Sequence, residues 1–131
     1  KEAVAVKNSA AIYEAVAEKN FIERIPVKKR DEIFLVPVAE IVSIIADGEL
    51  LQITTVRGEK FVINFRLKDL ETRLAPEKFI RLSRGALANL EMIAKISPMF
   101  GGTYQILLKD GQKITSSRLQ SKVLREKLFK L

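Results

Sequence analysis

Short runs of apolar residues, separated by turn residues, dominate the chain from residue 21 onward. Such runs, when they alternate or contain β-branched and aromatic residues, are typical of β-strands. They lie at residues 21–27, 33–38, 41–46, 50–56, 60–65, 78–82, 91–97, 103–109 and 112–116. Asp-Gly pairs, which favour tight hairpin turns, stand at residues 47–48 and 110–111. The pattern therefore predicts a β-rich fold built from hairpins.

Three other stretches have the apolar spacing of helices. Residues 1–20 carry a thin apolar stripe, residues 66–74 carry leucines three and four positions apart, and residues 117–131 carry a third stripe. Ser117, with Gln120 three residues later, has the spacing of a capping box, so the last helix is predicted to begin there. Because a thin stripe makes an isolated helix marginal, we expect residues 1–20 to link an upstream domain or to form a dimer contact.

Basic residues outnumber acidic ones, and the whole excess lies in residues 21–131. The chain has 23 Lys and Arg against 16 Asp and Glu, a net charge of +7. A basic domain of this kind attracts polyanions, with nucleic acid first and anionic membrane second. No apolar run approaches the roughly 20 residues of a transmembrane helix, so no membrane partner is expected. Basic side chains that only keep the domain in solution are the alternative interpretation.

The residue types that are missing exclude most enzyme chemistry. The chain has no Cys and no His, which rules out thiolate catalysis, disulfides, ordinary zinc sites and His-based acid–base catalysis. No glycine-rich phosphate loop of P-loop or Rossmann form is present. We therefore predict no enzyme activity, no metal site and no cofactor in this chain. The lack of Cys also fits a cytoplasmic protein.

Two basic stretches interrupt the apolar pattern. RLSRG, residues 81–85, places Arg84 beside Gly85, whose missing Cβ allows a turn conformation forbidden to other residues. SSR, residues 116–118, places Arg118 at the start of the last helix, where a cation opposes the helix dipole and free N–H groups attract phosphate. Arginine is the usual side chain for bidentate contacts to guanine or phosphate. For each stretch taken alone, a solvated surface arginine is the alternative.

Four stretches, taken in order, resemble the LytTR-type DNA-binding domain of bacterial transcription regulators. Residues 38–61, VAEIVSIIADGELLQITTVRGEKF, are similar to the family's paired strands with an acidic-glycine turn, and LKDLETRL, residues 67–74, to its L-x-x-L-E-x-x-L helix. FIRLSRGALANLEMIAKI, residues 79–96, resembles F-x-R-x-H-R-S-x-x-V-N-x-x-x-I. TYQILLKDGQKITSSR, residues 103–118, resembles a hairpin that ends in Ser-Arg before the last helix.

This resemblance implies a fold and a division of the chain. The fold is mostly β (α+β), with about ten short, mainly antiparallel strands in small sheets, a short central helix, a C-terminal helix and an N-terminal linker helix. Residues 1–20 would be a linker helix from a missing upstream sensor domain. Residues 21–131 would be the DNA-binding domain.

The resemblance also implies which residues touch DNA. Arg84 and Arg118 would read bases, and the turn that contains Gly48 and Glu49 would add a third contact, with Glu49 accepting from cytosine. Contacts to phosphate or the DNA backbone are expected from Ser83, Gly85, Ser116, Ser117, Lys122 and Gly48.

The chain departs from the family pattern at three of these positions. Ser83 stands where the family has His, and Gly85 stands where it has Ser, which leaves only a backbone N–H for phosphate at that position. Glu49 stands where Asn or His is frequent. Asn89 is expected to bond backbone rather than DNA.

The expected function is sequence-specific binding of duplex DNA by the output domain of a cytoplasmic transcription regulator. By the resemblance, its loops would enter successive major grooves at promoter direct repeats. An upstream receiver or PAS-type sensor domain would carry the signal and any ligand or haem, and residues 1–20 would offer a homodimer contact.

Two other functions stay open at this point. The first is a basic β-rich module for RNA or single strands, which would need exposed aromatic stacking platforms. Aromatic residues make up only 7% of the chain, and Phe34, Phe61 and Phe79 lie in apolar runs that predict core positions. The second is a protein-interaction or dimerisation domain whose basic charge is incidental.

Overall fold

The computed structural model describes residues 20–130, which form ten strands and two α-helices. The strands are β1 (Arg24–Lys29), β2 (Glu32–Pro37), β3 (Ile41–Asp47), β4 (Leu50–Thr55), β5 (Lys60–Ile63), β6 (Phe79–Ser83), β7 (Ala86–Asn89), β8 (Ile93–Pro98), β9 (Tyr104–Leu108) and β10 (Lys113–Thr115). The helices are α1 (Leu67–Glu71) and α2 (Arg118–Leu128). The predicted mostly β fold is confirmed, whereas the predicted helix at residues 1–20 and its linker or dimer role lie almost entirely outside the described residues.

Three antiparallel sheets build the fold around a central one. The central sheet has the strand order β5-β4-β3-β7-β6, β1 and β2 form a two-stranded ribbon, and the third sheet has the order β10-β9-β8. Because side chains alternate along a strand, the central sheet buries both faces. One face packs against the ribbon and α1, with Ile44 and Leu87 at its centre. The other face packs against the third sheet and α2, with Leu82 and Leu124.

The apolar pattern did not predict β7. Its sequence ALAN has two alanines and no β-branched residue, so it lacks the local signal of a strand. In the structure it pairs with both β3 and β6, and all four residues are buried. Asn89 ends the strand and bonds backbone, as predicted: its amide donates to Ile41 O at 2.9 Å and its Oδ1 accepts from Glu91 N at 3.0 Å.

The Asp-Gly turns are confirmed, and one aromatic prediction is wrong. Gly48 and Gly111 lie in hairpin turns with φ of 64° and 96°, the left-handed region that favours glycine. Phe61 and Phe79 are buried as predicted, but Phe34 is 41% exposed. It lies on the inner face of β2, paired with the buried Val27 and with its ring centroid 5.8 Å from that of Phe61, but near the β1–β2 turn, where the core covers it only in part.

Candidate nucleic-acid interface

Arg84 stands at the tip of the β6–β7 hairpin, in a two-residue loop with Gly85. Its side chain is exposed and makes no hydrogen bond or ion pair within residues 20–130. The backbone beneath it is held: Gly85 O accepts from Ala46 N at 2.8 Å, and the Oγ of half-buried Ser83 accepts from Gly85 N at 3.3 Å. The guanidinium therefore faces solvent from a loop that is fixed to the end of β3.

The predicted reason for Gly85 is wrong. Its φ does not lie in the left-handed region, and a Cβ placed there would meet Ala46 Cβ at 3.6 Å, an ordinary contact. Because its N–H already donates to the Ser83 hydroxyl, that donor is not free for a phosphate.

The β3–β4 turn opens onto the same cleft as Arg84. Gly48 and Glu49 are exposed at the tip of this turn, and both line an open cleft of about 830 Å³ that Arg84 also lines. The structure thus brings together two of the three regions that the sequence predicted for contact with DNA.

This cleft is also lined by basic residues that the sequence reasoning missed. The basic residues that line it are Arg66, Lys68, Arg81 and Arg84, and the acidic ones are Glu49 and Asp69. Arg66 and Lys68 flank Leu67 where α1 begins, and both are exposed. The leucine spacing predicted the helix but said nothing about its outer face. The signal in the sequence was that a basic residue stands on each side of Leu67, the first residue of α1.

The third region is the start of α2, where Arg118 is exposed. Ser117 caps the helix as predicted, since its side chain accepts from Gln120 N at 3.1 Å. Ser117 N also donates to Leu82 O at 2.9 Å, which ties the start of α2 to β6. Leu82 is two residues from Arg84 and Ser117 is next to Arg118, so this one bond links the two arginine-bearing loops.

Ser116 serves the fold rather than a ligand. It is 2% exposed, and its Oγ accepts from Tyr104 N at 3.0 Å and lies 2.7 Å from the Oγ of Ser121. A buried hydroxyl with these partners cannot reach a phosphate. The predicted phosphate contact at Ser116 therefore conflicts with its burial.

Cationic side chains continue along α2 from Arg118. Lys122 and Arg125 follow at four and seven residues, the spacing of one helix face. Lys122 is exposed, and Arg125 donates to Tyr104 Oη at 3.3 Å. This stripe extends the basic surface away from the start of the helix.

Phe100 lies beside this stripe and was not singled out from the sequence. It is fully exposed in the β8–β9 loop, at 103% of its reference area. Gly101 follows with φ of 86°, and a Cβ placed on it would lie 3.8 Å from Nη2 of Arg118. The loop that carries this exposed ring therefore passes next to Arg118.

Two other features are absent from residues 20–130, a metal site and a membrane-spanning helix. No group of three or more Asp, Glu, His or Cys residues there could hold a metal ion. None of the helices in this part of the chain is long and apolar enough to cross a membrane.

Comparison with known proteins gives a family match. The sequence model of the LytTr DNA-binding domain family matches residues 31–129. The sensory transduction protein LytT of Bacillus anthracis is 35% identical over 99 residues, which cover 75% of this chain and 39% of that protein. The transcriptional regulatory protein LytR of Staphylococcus aureus is 29% identical over 111 residues, covering 85% of this chain and 45% of that protein. The chain thus spans less than half of these relatives.

A solved structure shares the fold. A LytTr DNA-binding domain from Bacillus cereus superposes with a TM-score of 0.74 over 80% of this chain and 95% of that chain, at 19% sequence identity.

Proposed function

The chain belongs to the LytTR family of DNA-binding domains, and we propose that it reads duplex DNA sequence-specifically through three loops on one surface. These are the β3–β4 turn, the β6–β7 loop and the start of α2. The observation that carries this proposal is the pair Arg84 and Arg118, two exposed guanidinium groups on backbones that are joined by the Ser117–Leu82 hydrogen bond. Because the backbone that carries each guanidinium is already held in place, it loses little conformational freedom when the domain binds DNA.

Each loop has a distinct role in base readout. Arg84 and Arg118 donate two hydrogen bonds to guanine in the major groove, worth about 1–3 kcal/mol of discrimination each. Glu49 accepts from the amino group of cytosine, which is the base contact that a carboxylate favours. Because Glu49 and Arg84 line one cleft, their two contacts belong to the same part of the DNA site.

Residues that contact phosphate lie around the three residues that contact bases. Lys122 and Arg66 are exposed beside the two arginine loops, and the Ser117 hydroxyl keeps a donor after accepting from Gln120 N. The exposed Gly48 lets the DNA backbone approach the turn closely. Ser83 and Gly85 hydrogen-bond to each other, so their contacts to phosphate are weaker. The buried Ser116 makes no contact to phosphate. Affinity should fall steeply with salt because cations on DNA are released.

In the whole protein, this domain acts as the output domain of a transcription regulator in the cytoplasm. Its loops enter successive major grooves at promoter direct repeats. The names of the relatives, a sensory transduction protein and a transcriptional regulatory protein, support an upstream receiver or PAS-type sensor domain. Residues 1–20 join that domain to this one or form a homodimer contact.

Binding of the 131-residue chain to duplex DNA, single-stranded DNA and RNA of the same sequence tests the proposal. Fluorescence anisotropy over a salt series should give the tightest binding to duplex. Stronger binding to single strands or RNA would favour stacking on exposed rings such as Phe100. The absence of salt-dependent binding to any of the three would favour an interaction domain.

A further inference from the structure

Arg81 is largely buried although it carries a charge. It is the third residue of β6, and only 15% of its side chain is exposed. Arginine is almost never buried unless it is paired. By strand alternation Arg81 lies on the same face of the sheet as Phe79, the face that packs against α1.

Three acceptors surround its guanidinium. Nη1 donates to Oε1 of Glu71, at the end of α1, at 2.5 Å. Nε donates to Ser83 O at 2.7 Å, and Nη2 donates to Arg84 O at 2.6 Å. The rigid fork of arginine can serve three directions at once, which the single ammonium of lysine cannot do in the same geometry.

The acceptors lie where the sheet is irregular. The pairing of β6 with β7 shifts between Arg81 and Ser83, so a bulge interrupts the ladder just before the loop. A bulge bends its strand and disrupts local hydrogen bonding. Donors from Arg81 reach two consecutive carbonyls at this point, while Gly85 O is held by Ala46 N. The carbonyls of Ser83, the last residue of β6, and of both loop residues are therefore anchored.

We propose that Arg81 and Glu71 form a clamp that positions Arg84 for base readout. Glu71 holds the guanidinium and balances its charge, so Arg81 acts on the loop backbone and not on phosphate. Sequence specificity then depends on a residue of α1 that does not itself touch DNA. Because Arg84 contacts DNA only under the proposed function, the role of Arg81 rests on that function.

The first test is a double-mutant cycle on two duplexes. The probes are a duplex selected by the chain from a random pool and a scrambled duplex of the same composition. Arg81→Lys preserves charge but loses the fork. It should weaken binding to the selected duplex about fivefold or more, with Arg84→Ala setting the upper limit. It should leave the scrambled duplex unchanged and cause no further loss in the Arg84→Ala background.

The second test compares two neutralised glutamates. Glu77 is exposed two residues before β6 begins and makes no ion pair within residues 20–130, so Glu77→Gln changes the net charge in the same way without touching Arg81. It should strengthen binding to both duplexes slightly. Glu71→Gln should strengthen binding to the scrambled duplex and weaken binding to the selected one. This opposite response needs no change at Arg81, so it decides the question if Arg81→Lys fails to fold by circular dichroism.

Each other outcome overturns the clamp. A loss for Arg81→Lys that is equal on both duplexes, or that persists without Arg84, would make Arg81 a phosphate contact or a purely structural residue. No loss for Arg81→Lys, or parallel effects of the two glutamate variants, would remove the clamp while the proposed function stands. If Arg84→Ala itself leaves the selected duplex unaffected, the base contact of Arg84 and the clamp both fail.

Discussion

Replacing Arg118 with alanine removes the exposed cation at the start of α2 and leaves the fold unchanged. The side chain makes no hydrogen bond or ion pair within the described residues. The first turn of the helix contains no acidic residue, so the cation opposes the helix dipole without compensation. Its removal should stabilise the helix by about 0.3–1 kcal/mol. A thermal unfolding midpoint that stays equal or rises slightly is therefore expected.

The effect on DNA binding should be large and confined to the preferred sequence. Loss of a bidentate base contact costs about 1–3 kcal/mol, which corresponds to roughly 5–150-fold in affinity. Fluorescence anisotropy with the selected and scrambled duplexes, each at several salt concentrations, measures this difference. On the scrambled duplex only a small electrostatic loss is expected.

A matched control separates position from charge. Arg57 is 70% exposed in the β4–β5 turn, at the end of β4 opposite the β3–β4 turn, and its only ion-pair partner within residues 20–130 is Glu40, with Nη2 3.7 Å from Oε2. Arg57→Ala removes the same charge, and it should lower the affinity for both duplexes by the same small factor. If Arg118→Ala weakens both duplexes equally and lowers the salt slope by about 0.9, it contacts phosphate instead of a base. No loss on either duplex would refute a contact by Arg118 altogether.

Three further predictions concern single residues. Lys122→Ala should weaken selected and scrambled duplexes equally and reduce the salt slope by about 0.9, as anisotropy titrations would show. Gly85→Ala should change the free energy of unfolding by less than about 1 kcal/mol, whereas Gly48→Ala, at φ of 64°, should cost about 1–2 kcal/mol in urea unfolding. Ser116→Ala should cost about 1–3 kcal/mol of stability because Tyr104 N loses its acceptor, with DNA affinity of the folded protein unchanged.

Local signals in the sequence predicted the elements that depend on local chemistry. The Asp-Gly turns formed hairpins because only glycine readily takes the φ of 64° seen at Gly48. Ser117 began the last helix because its hydroxyl meets Gln120 N, three residues on. These features need no information from distant parts of the chain.

Features that depend on tertiary pairing were not predicted. Strand β7 forms from small residues because β3 and β6 flank it. Phe34 shares a face of β2 with the buried Val36 and still is 41% exposed, because an apolar run cannot reveal how far along a strand the core covers it.

The candidate site was predicted only in part, because its geometry also depends on tertiary packing. The resemblance gave Arg84 and Arg118, and the structure places both on exposed loop ends. It could not show that Ser116 is buried, that Arg66 and Lys68 share a cleft with Arg84, or that Arg81 meets Glu71 from ten residues away. Each of these depends on how separate elements pack.

Selection of bound sequences from a random duplex pool by the 131-residue chain tests sequence-specific duplex recognition most directly. The expected result is an enriched motif that contains guanine, bound roughly 10³-fold or more tightly than scrambled duplex at physiological salt, with the enrichment lost for Arg118→Ala. A pool that shows no enrichment above its input, although the chain binds it, would contradict base readout by these loops.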